Sequence, residues 1–151
     1  MSLSGSRLLI GASEDNDGGD NSGTVFAYRF DGVSWSFTEK LHANDAQSGD
    51  LFGTSVSLSG NQALIGAYED DDNGFRSGSA YVFDFDGSSW NQSQIIAADA
   101  DSWDRFGDSV SLSGNRALIG AYGDDDNGNF SGATYIFNNL NDLIFTNDFE
   151  N

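Results

Sequence analysis

The chain has 151 residues, enough for one domain with a hydrophobic core, and 24 acidic against six basic residues give it a formal net charge of −18. This charge excludes nucleic acid and anionic membrane surfaces as partners, because binding either of them needs a basic face. The chain contains no cysteine, which excludes disulfides and thiolate metal sites, and no apolar run approaches the length that spans a bilayer.

Three copies of one unit follow one another along the chain. They open with SLSGSRLLIGAS, SLSGNQALIGAY and SLSGNRALIGAY, which start at Ser2, Ser57 and Ser111. A second segment recurs as well: SGTVFAYRFDGVSW from Ser22 returns as SGSAYVFDFDGSSW from Ser77 and shortens to SGATYIF from Ser131. A period of fifty or so residues is typical of solenoids, propellers and arrays.

Within a unit the apolar residues alternate as they do in strands. Val56 and Leu58 alternate with serines, which predicts a half-buried strand, and the continuous apolar run ALIGAY predicts a strand covered on both faces. Gly60-Asn61 between these two runs and Asp86-Gly87 before SSW are hairpin-turn sequences. We therefore expect four antiparallel strands in each unit, and in the second unit we place them near residues 51–59, 62–68, 78–85 and 89–97.

Four short strands in every unit, with Gly-rich turns and recurring aromatic residues, predict an all-β fold, a partial β-propeller of about three four-stranded antiparallel blades. The predicted blades are residues 1–45, which lack most of the first strand, 46–99, and 100–151, whose last strand is atypical and is assigned to residues 143–149. A β-sandwich is the alternative, but it gives no reason for the sequence to repeat.

Three blades are too few to close a standard propeller ring, which has four to eight. We therefore expect either further blades in a longer protein or a homo-oligomer, for instance two chains that form a six-bladed ring. The first of these is favoured because the chain starts within a blade.

The residues at the start of each unit resemble a known repeat. Phe52-Gly53 followed by Gly66-Ala67-Tyr68, and the same pattern from Phe106 to Tyr122, resemble the FG-GAP repeat, the blade unit of integrin α-subunit propellers and of many bacterial surface and secreted proteins. The resemblance implies a β-propeller, commonly with bound calcium, that serves adhesion or recognition outside the cell.

The chain departs from the FG-GAP pattern in two respects. The proline of the family motif is replaced by Ser13, Tyr68 and Tyr122. The integrin-type calcium loop between the first and second strands is missing, and only a tight Ser-Gly-Asn turn stands in its place. The calcium ligands of the family therefore cannot be assigned here position by position.

An acidic segment lies between the second and third predicted strands of every unit. Its first and third columns hold aspartate in all three copies: Asp15, Asp70 and Asp124, and Asp17, Asp72 and Asp126. Carboxylates at i and i+2, followed by a glycine, are ligands and a turn that suit Ca²⁺. The middle column holds Asn16, Asp71 and Asp125, so only the outer two columns are predicted ligands.

A second acidic segment joins the last strand of one unit to the first strand of the next. It contributes Asp45, Asp50, Asp99 and Asp104. Both kinds of loop leave a four-stranded blade at the same edge, so we expect them to lie together on one face and to supply ligands to the same Ca²⁺ ions. The alternative is that these aspartates are solvated turn residues on an acidic surface that binds nothing specific.

Few other residues are candidates for function. His42, the sole histidine, has no serine or cysteine partner that can be assigned, so we interpret it as a strand-end residue and predict no catalytic residues. Trp35 and Trp90 are equivalent and are expected to pack in the fold. Trp103 has no counterpart, since Gly49 takes its place in the preceding unit, and we predict that it contacts a protein or carbohydrate partner.

The sequence thus predicts a non-catalytic, calcium-supported binding or adhesion module of an extracellular or cell-surface bacterial protein. Residues 1–5 lack the features of a signal peptide, so the export signal is expected outside this chain. One alternative is a structural repeat fragment with no specific ligand. Another is part of a larger secreted propeller enzyme whose catalytic residues lie on other blades.

Overall fold

The computed structural model describes residues 1–126, 128 and 131–140, which form three antiparallel sheets and contain no α-helix. The first sheet consists of β1 (Ser2–Ser4), β2 (Arg7–Ala12), β3 (Thr24–Phe30) and β4 (Trp35–Leu41). The second consists of β5 (Ser55–Ser59), β6 (Gln62–Ala67), β7 (Ser79–Phe85) and β8 (Trp90–Ile95). The third consists of β9 (Phe106–Ser113), β10 (Arg116–Ala121) and β11 (Ala133–Phe137).

Strands that follow one another in the chain are hydrogen-bonded neighbours in each sheet, which is the connectivity of a propeller blade. The prediction of an all-β partial propeller is therefore confirmed, and we call the three sheets blades 1, 2 and 3. The fourth strand predicted for blade 3, residues 143–149, lies outside the described residues. All four strands predicted in blade 2 are present, although their ends differ from the predicted ones.

The largest difference from the sequence prediction is at the start of blade 2. A strand was expected from residue 51, but β5 begins at Ser55. Leu51 and Gly53 have φ angles of 57° and 90°, which are incompatible with an extended strand. Between them, Phe52 makes an isolated parallel bridge to Gly23 of blade 1.

Phe52 and Gly53 bind blade 2 to blade 1 through the backbone. The Phe52 N–H donates to the Ser22 carbonyl at 3.0 Å, and the Gly53 carbonyl lies so close to Gly11 that a Cβ there would overlap it. Blade 3 docks on blade 2 in the same way, with the Gly107 carbonyl against Gly66. The Phe-Gly pairs of blades 2 and 3 therefore pack on the Gly-Ala pair of the blade before them.

The serines of the first strands form a second set of bonds between blades. The Ser2 and Ser4 hydroxyl oxygens accept the backbone N–H groups of Leu58 and Gly60 at 2.9 and 3.0 Å. The equivalent serines of β5 accept from blade 3 at the same distances, with the pairs Ser57 to Leu112 and Ser59 to Gly114. Because serine and leucine alternate in these strands, the serine hydroxyls bond the backbone of the next blade while the leucines are available for the apolar core.

The hydrophobic core lies between the blades. The ring of Phe52 meets Tyr81 and Phe83 edge-on, at centroid distances of 5.5 and 6.0 Å, inside a cluster that contains residues of blades 1 and 2. A second cluster joins blade 2 to blade 3 around Phe106. Because blade 2 lies between both clusters, every residue of β6 is buried.

Among the described residues, no following blade covers the outward face of blade 3. Leu64 of blade 2 is fully buried against blade 3, whereas its equivalent in blade 3, Leu118, is 45 % exposed. Ile136 is also exposed, although its equivalent Val82 is buried. At the opposite end, Leu3 of blade 1 is exposed while the matching leucines of the other two blades are buried.

The stacking of a glycine on a carbonyl can be tested by the same substitution at two equivalent positions of the repeat. Gly66→Ala should destabilise the protein by about 2 kcal/mol, because the added methyl group meets the rigid Gly107 carbonyl. For a chain of this size that is a fall of roughly 6 °C in Tm. Gly120→Ala is the matched control, because its methyl group meets only the Ser109 hydroxyl, which can rotate away. Thermal unfolding of both variants checks this, and equal losses would contradict it.

Candidate functional site

The loop between the second and third strands has the same hydrogen bonds in each blade. The carboxylate of the first aspartate accepts the backbone N–H of the third, at 3.0 Å in blade 1, 2.9 Å in blade 2 and 3.3 Å in blade 3. The acceptors are Asp15, Asp70 and Asp124, and the donors are Asp17, Asp72 and Asp126. The two columns predicted as ligands are therefore joined in one turn.

The middle column of the acidic segment has a structural role that the sequence analysis did not identify. Asn16 accepts the backbone N–H of Asn21 at 2.7 Å, and Asp71 accepts that of Arg76 at 2.5 Å. Asn21 and Arg76 have φ angles of 55° and 56°. The middle side chain thus holds a left-handed residue at the end of the loop.

In blade 2 a tyrosine hydroxyl joins the two acidic segments. The Tyr81 hydroxyl lies 2.8 Å from Oδ2 of Asp70 and 3.0 Å from Oδ1 of Asp45, which belongs to the linker that enters the blade. A phenol carries one hydrogen, so it donates to only one of these carboxylates at a time. The second oxygen–oxygen contact therefore needs a proton or a cation to be favourable.

Blade 3 repeats this arrangement. The Tyr135 hydroxyl lies 2.9 Å from Oδ2 of Asp124 and 2.8 Å from Oδ1 of Asp99. Tyr135 and Tyr81 occupy the same column, and the signal for this role was present in the sequence as the recurrence of tyrosine in the third strand. In both blades burial, followed by the charges of the carboxylates and the hydrogen bonds to them, raises the pKa of the tyrosine above its usual range.

A further aspartate of the linker lies close to each tyrosine cluster. Asp50 accepts the backbone N–H of Gln47, and Asp104 accepts that of Asp101, both at 2.6 Å. Both aspartates are buried. Burial, with a smaller contribution from the charges of Asp70 and other carboxylates nearby, raises the pKa of Asp50 to about 6. Burial likewise raises the pKa of Asp104.

Two of the remaining carboxylates also have raised pKa values. Burial raises the pKa of Asp70, and the neighbouring charge of Asp124 is the main cause of the raised pKa of Asp126. Each of blades 2 and 3 therefore gathers four carboxylates whose charges oppose one another. We call these sets the acidic clusters, and they consist of Asp45, Asp50, Asp70 and Asp72, and of Asp99, Asp104, Asp124 and Asp126.

Blade 1 has the same loop but balances its charge differently. Phe26 occupies the tyrosine column, and Lys40 of β4 forms an ion pair with Asp17 and lies 5.0 Å from the centre of the Phe26 ring. Asp15 accepts the Thr24 hydroxyl at 3.0 Å. Its pKa is lowered, chiefly by the hydrogen bond from the Asp17 N–H. In blade 2 the position that pairs with Tyr81 is Gln94, which carries no charge.

The acidic clusters are not preformed metal sites. In the part of the chain that the structure describes, no three His, Cys, Asp or Glu side chains converge closely enough to hold an ion. The donors in each cluster are nevertheless all oxygen atoms with excess negative charge, which is the chemistry that a hard cation such as Ca²⁺ requires.

His42 lies beside the loop of blade 1. Its Nδ1 is 3.2 Å from the hydroxyl of Thr24, and that hydroxyl also donates to Asp15. Thr24 is fully buried. A buried hydroxyl with its hydrogen already directed to a carboxylate cannot reach a substrate, so this chain of contacts has the geometry of a structural network.

The three tryptophans differ in their surroundings. Trp35 and Trp90 pack on the phenylalanines at the ends of the preceding strands, Phe30 and Phe85, with ring centres 5.2 Å apart in both pairs. Trp103 is 47 % exposed, in the linker between blades 2 and 3, and meets Phe75 edge-on at 4.8 Å.

A cavity of about 280 Å³ lies where the first two blades meet. Its lining includes Arg7, Arg29, Glu39 and Trp90, so it is polar and contains both signs of charge. None of the aspartates of the acidic clusters lines it.

Comparison with known proteins identifies the repeat. The family model for the FG-GAP repeat matches residues 35–83 and 90–137. This chain belongs to the FG-GAP repeat family. Each match runs from the last strand of one blade through the third strand of the next, and thus encloses one complete acidic cluster with its tyrosine. A search of curated proteins found no match.

FG-GAP repeats typically occur in extracellular or cell-surface proteins. Among the residues that the structure describes, no helix has the length and apolar character needed to cross a membrane.

The raised pKa of Asp50 predicts an unusual dependence of stability on pH. The folded FG-GAP array binds a proton near pH 6, whereas an unfolded aspartate does so only near pH 3.9. Between these values the folded state holds more protons, so stability due to Asp50 rises as the pH falls from 7 to 5. In a buffer that contains a chelator, we expect Asp50→Asn to raise Tm by a few degrees at pH 7. At pH 5 the increase should be much smaller, because Asp50 is then already protonated in the folded state.

Asp15→Asn is the control for this experiment, because the pKa of Asp15 is lowered rather than raised. Its stabilising charge is present at neutral pH and is lost on acidification, so its effect on Tm should have the opposite sign. Differential scanning calorimetry across this pH range measures both variants. A lower Tm for Asp50→Asn at pH 7 would contradict the prediction.

Proposed function

We propose that this FG-GAP array is a non-catalytic, calcium-supported binding or adhesion module of an extracellular bacterial protein, with a protein or glycan as its ligand. The observation that carries the calcium part is the tyrosine hydroxyl placed between two carboxylates in blades 2 and 3. A single phenolic hydrogen leaves each cluster short of positive charge. Family membership supports the extracellular location.

The residues that would hold calcium are the four aspartates of each acidic cluster. The ion would supply positive charge to carboxylates that come from two different segments of the chain, the linker and the loop. Binding would thereby stabilise the junction between one blade and the next, because Asp45 and Asp70, or Asp99 and Asp124, are joined only in the folded array. Blade 1 needs no ion, since Lys40 already supplies a positive charge.

The proposal of a module without catalytic activity is supported by the surroundings of the titratable residues. Carboxylates dominate the loop face, and the single histidine is bonded to a buried threonine. Among the described residues, the exposed hydroxyls of Ser88 and Ser89 donate to Asp86, but hydrogen bonds lower the pKa of that carboxyl, so it is a weak base.

Calcium titration tests the proposal directly. Adding millimolar Ca²⁺ to chelator-treated protein should raise its Tm, because the ion binds the folded state and not the unfolded chain. The double variant Asp70→Asn/Asp124→Asn should lose most of this shift. Asp15→Asn, the same substitution in the same column, should keep it. An unchanged Tm of the wild type at millimolar Ca²⁺ would overturn the calcium part.

The proposal also includes a partner for the uncovered blade faces. Leu118 and Ile136 of blade 3 occupy columns that are buried wherever a following blade is present. The exposed Leu3 of blade 1 occupies a column that is buried wherever a preceding blade is present. The apolar columns of the two faces therefore match, while blade 1 contributes no Phe-Gly pair to the contact. Two copies joined head to tail at both ends would form a closed ring of six blades.

Light scattering during gel filtration distinguishes this assembly from a single chain. We expect a concentration-dependent dimer for the wild type, and a monomer for Leu118→Glu/Ile136→Glu, because two carboxylates cannot be buried unpaired in the new interface. Since both side chains are already exposed in the monomer, its Tm at low concentration should change little. A monomeric wild type at every concentration would leave further blades of a longer protein as the cover for these faces.

A further inference from the structure

At the junction of blades 2 and 3, three aromatic rings alternate with the guanidinium groups of two arginines. Arg76 lies between the rings of Phe75 and Trp103, at 5.2 and 5.1 Å from their centres, and Arg105 lies between Trp103 and Tyr122, at 5.6 and 4.9 Å. We call this set the aromatic–arginine ladder. Its three rings are 50 %, 47 % and 45 % exposed, so large aromatic surfaces face solvent next to the acidic clusters.

The fold does not require the ladder. The same backbone hydrogen bond joins linker to loop at both junctions. The Leu51 N–H donates to the Asn21 carbonyl at 3.2 Å between blades 1 and 2, and the Arg105 N–H donates to the Arg76 carbonyl at 3.1 Å between blades 2 and 3. Four of the five ladder columns hold different residues at the junction of blades 1 and 2. The replacements are Asp20 for Phe75, Asn21 for Arg76, Gly49 for Trp103 and Leu51 for Arg105.

Trp103 is also held in a backbone conformation that suits glycine. Its φ angle is 81°, in the left-handed region, and the equivalent position in the other linker is Gly49 with φ 100°. A bulky residue in this region is strained, and such strain is concentrated at functional sites. Glycine, as in the sister repeat, adopts this conformation without strain, so the exposed tryptophan at this position points to a role beyond the packing of the linker.

The ladder has more hydrogen-bond donors than acceptors. Glu69 serves both guanidinium groups: Arg76 Nε is 3.0 Å from one of its oxygens and Arg105 is 3.9 Å from the other. The Nε of Arg105 is buried and has no hydrogen-bond partner among the residues that the structure describes. Two of the six basic residues of the chain thus share one carboxylate as their ion-pair partner.

We infer that the aromatic–arginine ladder anchors a protein partner that presents an isolated carboxylate beside an apolar side chain. Tryptophan, tyrosine and arginine are the residues that dominate the binding energy of protein interfaces. The exposed rings accept the apolar side chain, and the guanidinium groups bind the carboxylate through paired hydrogen bonds. The exposed carboxylates of Asp71 and Asp101 flank the ladder and would repel a partner with several negative charges. The partner is therefore expected to present a single carboxylate.

This inference rests on the proposed binding function but not on calcium. The probe is a random heptapeptide library displayed on phage, selected against the intact immobilised chain in Ca²⁺ and, separately, in chelator. The comparison protein carries Phe75→Asp, Arg76→Asn, Trp103→Gly and Arg105→Leu. These four changes install the residues of the first junction, which the same backbone already accommodates, so the comparison protein should fold with a similar Tm.

We expect the wild type to enrich peptides with one Asp or Glu next to Leu, Phe or Trp. Isothermal titration of a selected peptide should show a Kd at least tenfold higher for the comparison protein. Trp103→Ala and Arg105→Leu alone should each weaken binding and leave Tm nearly unchanged. If the fourfold variant fails to fold, these single variants test the inference on their own.

Several results would overturn the inference. Enrichment of basic peptides, or of acidic peptides that the comparison protein binds equally well, would place recognition on the acidic surface and not on the ladder, while the proposed binding function would stand. Binding of a uronic-acid oligosaccharide by the wild type, without enrichment of acidic peptides, would show that the ladder binds a glycan. No enrichment and no oligosaccharide binding would remove the ladder as a site, and the Ca²⁺ titration would then decide the proposed function separately.

Discussion

The contact on which this structure depends is the approach of a glycine carbonyl in one blade to a glycine of the blade before it. Gly53 meets Gly11, and Gly107 meets Gly66, at separations that leave no room for a Cβ. Because the contact is made by rigid backbone, it fixes the spacing of neighbouring blades. The adjacent phenylalanine is then directed into the core between them.

The same contact determines where the acidic segments lie. The linker that carries Asp45 and Asp50 ends at Phe52, and the backbone of Phe52 is hydrogen-bonded to the loop of the preceding blade. That linker therefore passes over the edge of its own blade, where Asp45 meets the Tyr81 hydroxyl. The acidic clusters are thus a consequence of blade stacking, and not of any short motif within one loop.

Three copies of one loop show two ways of managing crowded carboxylates. In blade 1 a lysine side chain supplies positive charge, and the tyrosine column holds Phe26. In blades 2 and 3 a tyrosine hydroxyl stands between the carboxylates and supplies one hydrogen to two acceptors. The lysine and the tyrosine do not occur together in any blade, as expected if each reduces the need for the other.

Much of this fold follows from the sequence, since repeated strands with alternating serine and leucine leave few alternatives to propeller blades. That the linker and loop aspartates lie together at one edge of the blade was predicted from connectivity alone. The contacts of Asp71 and Tyr81 were not, because each depends on the register of a strand or on one φ angle. The strand prediction was wrong at residues 51–54, where the left-handed residues Leu51 and Gly53 lie on either side of Phe52 ahead of β5.

The differences between the repeats then separate what the fold needs from what it permits. Columns that bind blade to blade, such as Ser77-Gly78 and Phe106-Gly107, are the same at both junctions. Four of the five ladder columns differ between the junctions, including those of Arg76 and Arg105, which lie directly beside the conserved pairs. The backbone at these positions is already held rigid by the stacking of the blades, whichever side chains it bears. A new binding surface can therefore arise at one junction without any change in the array.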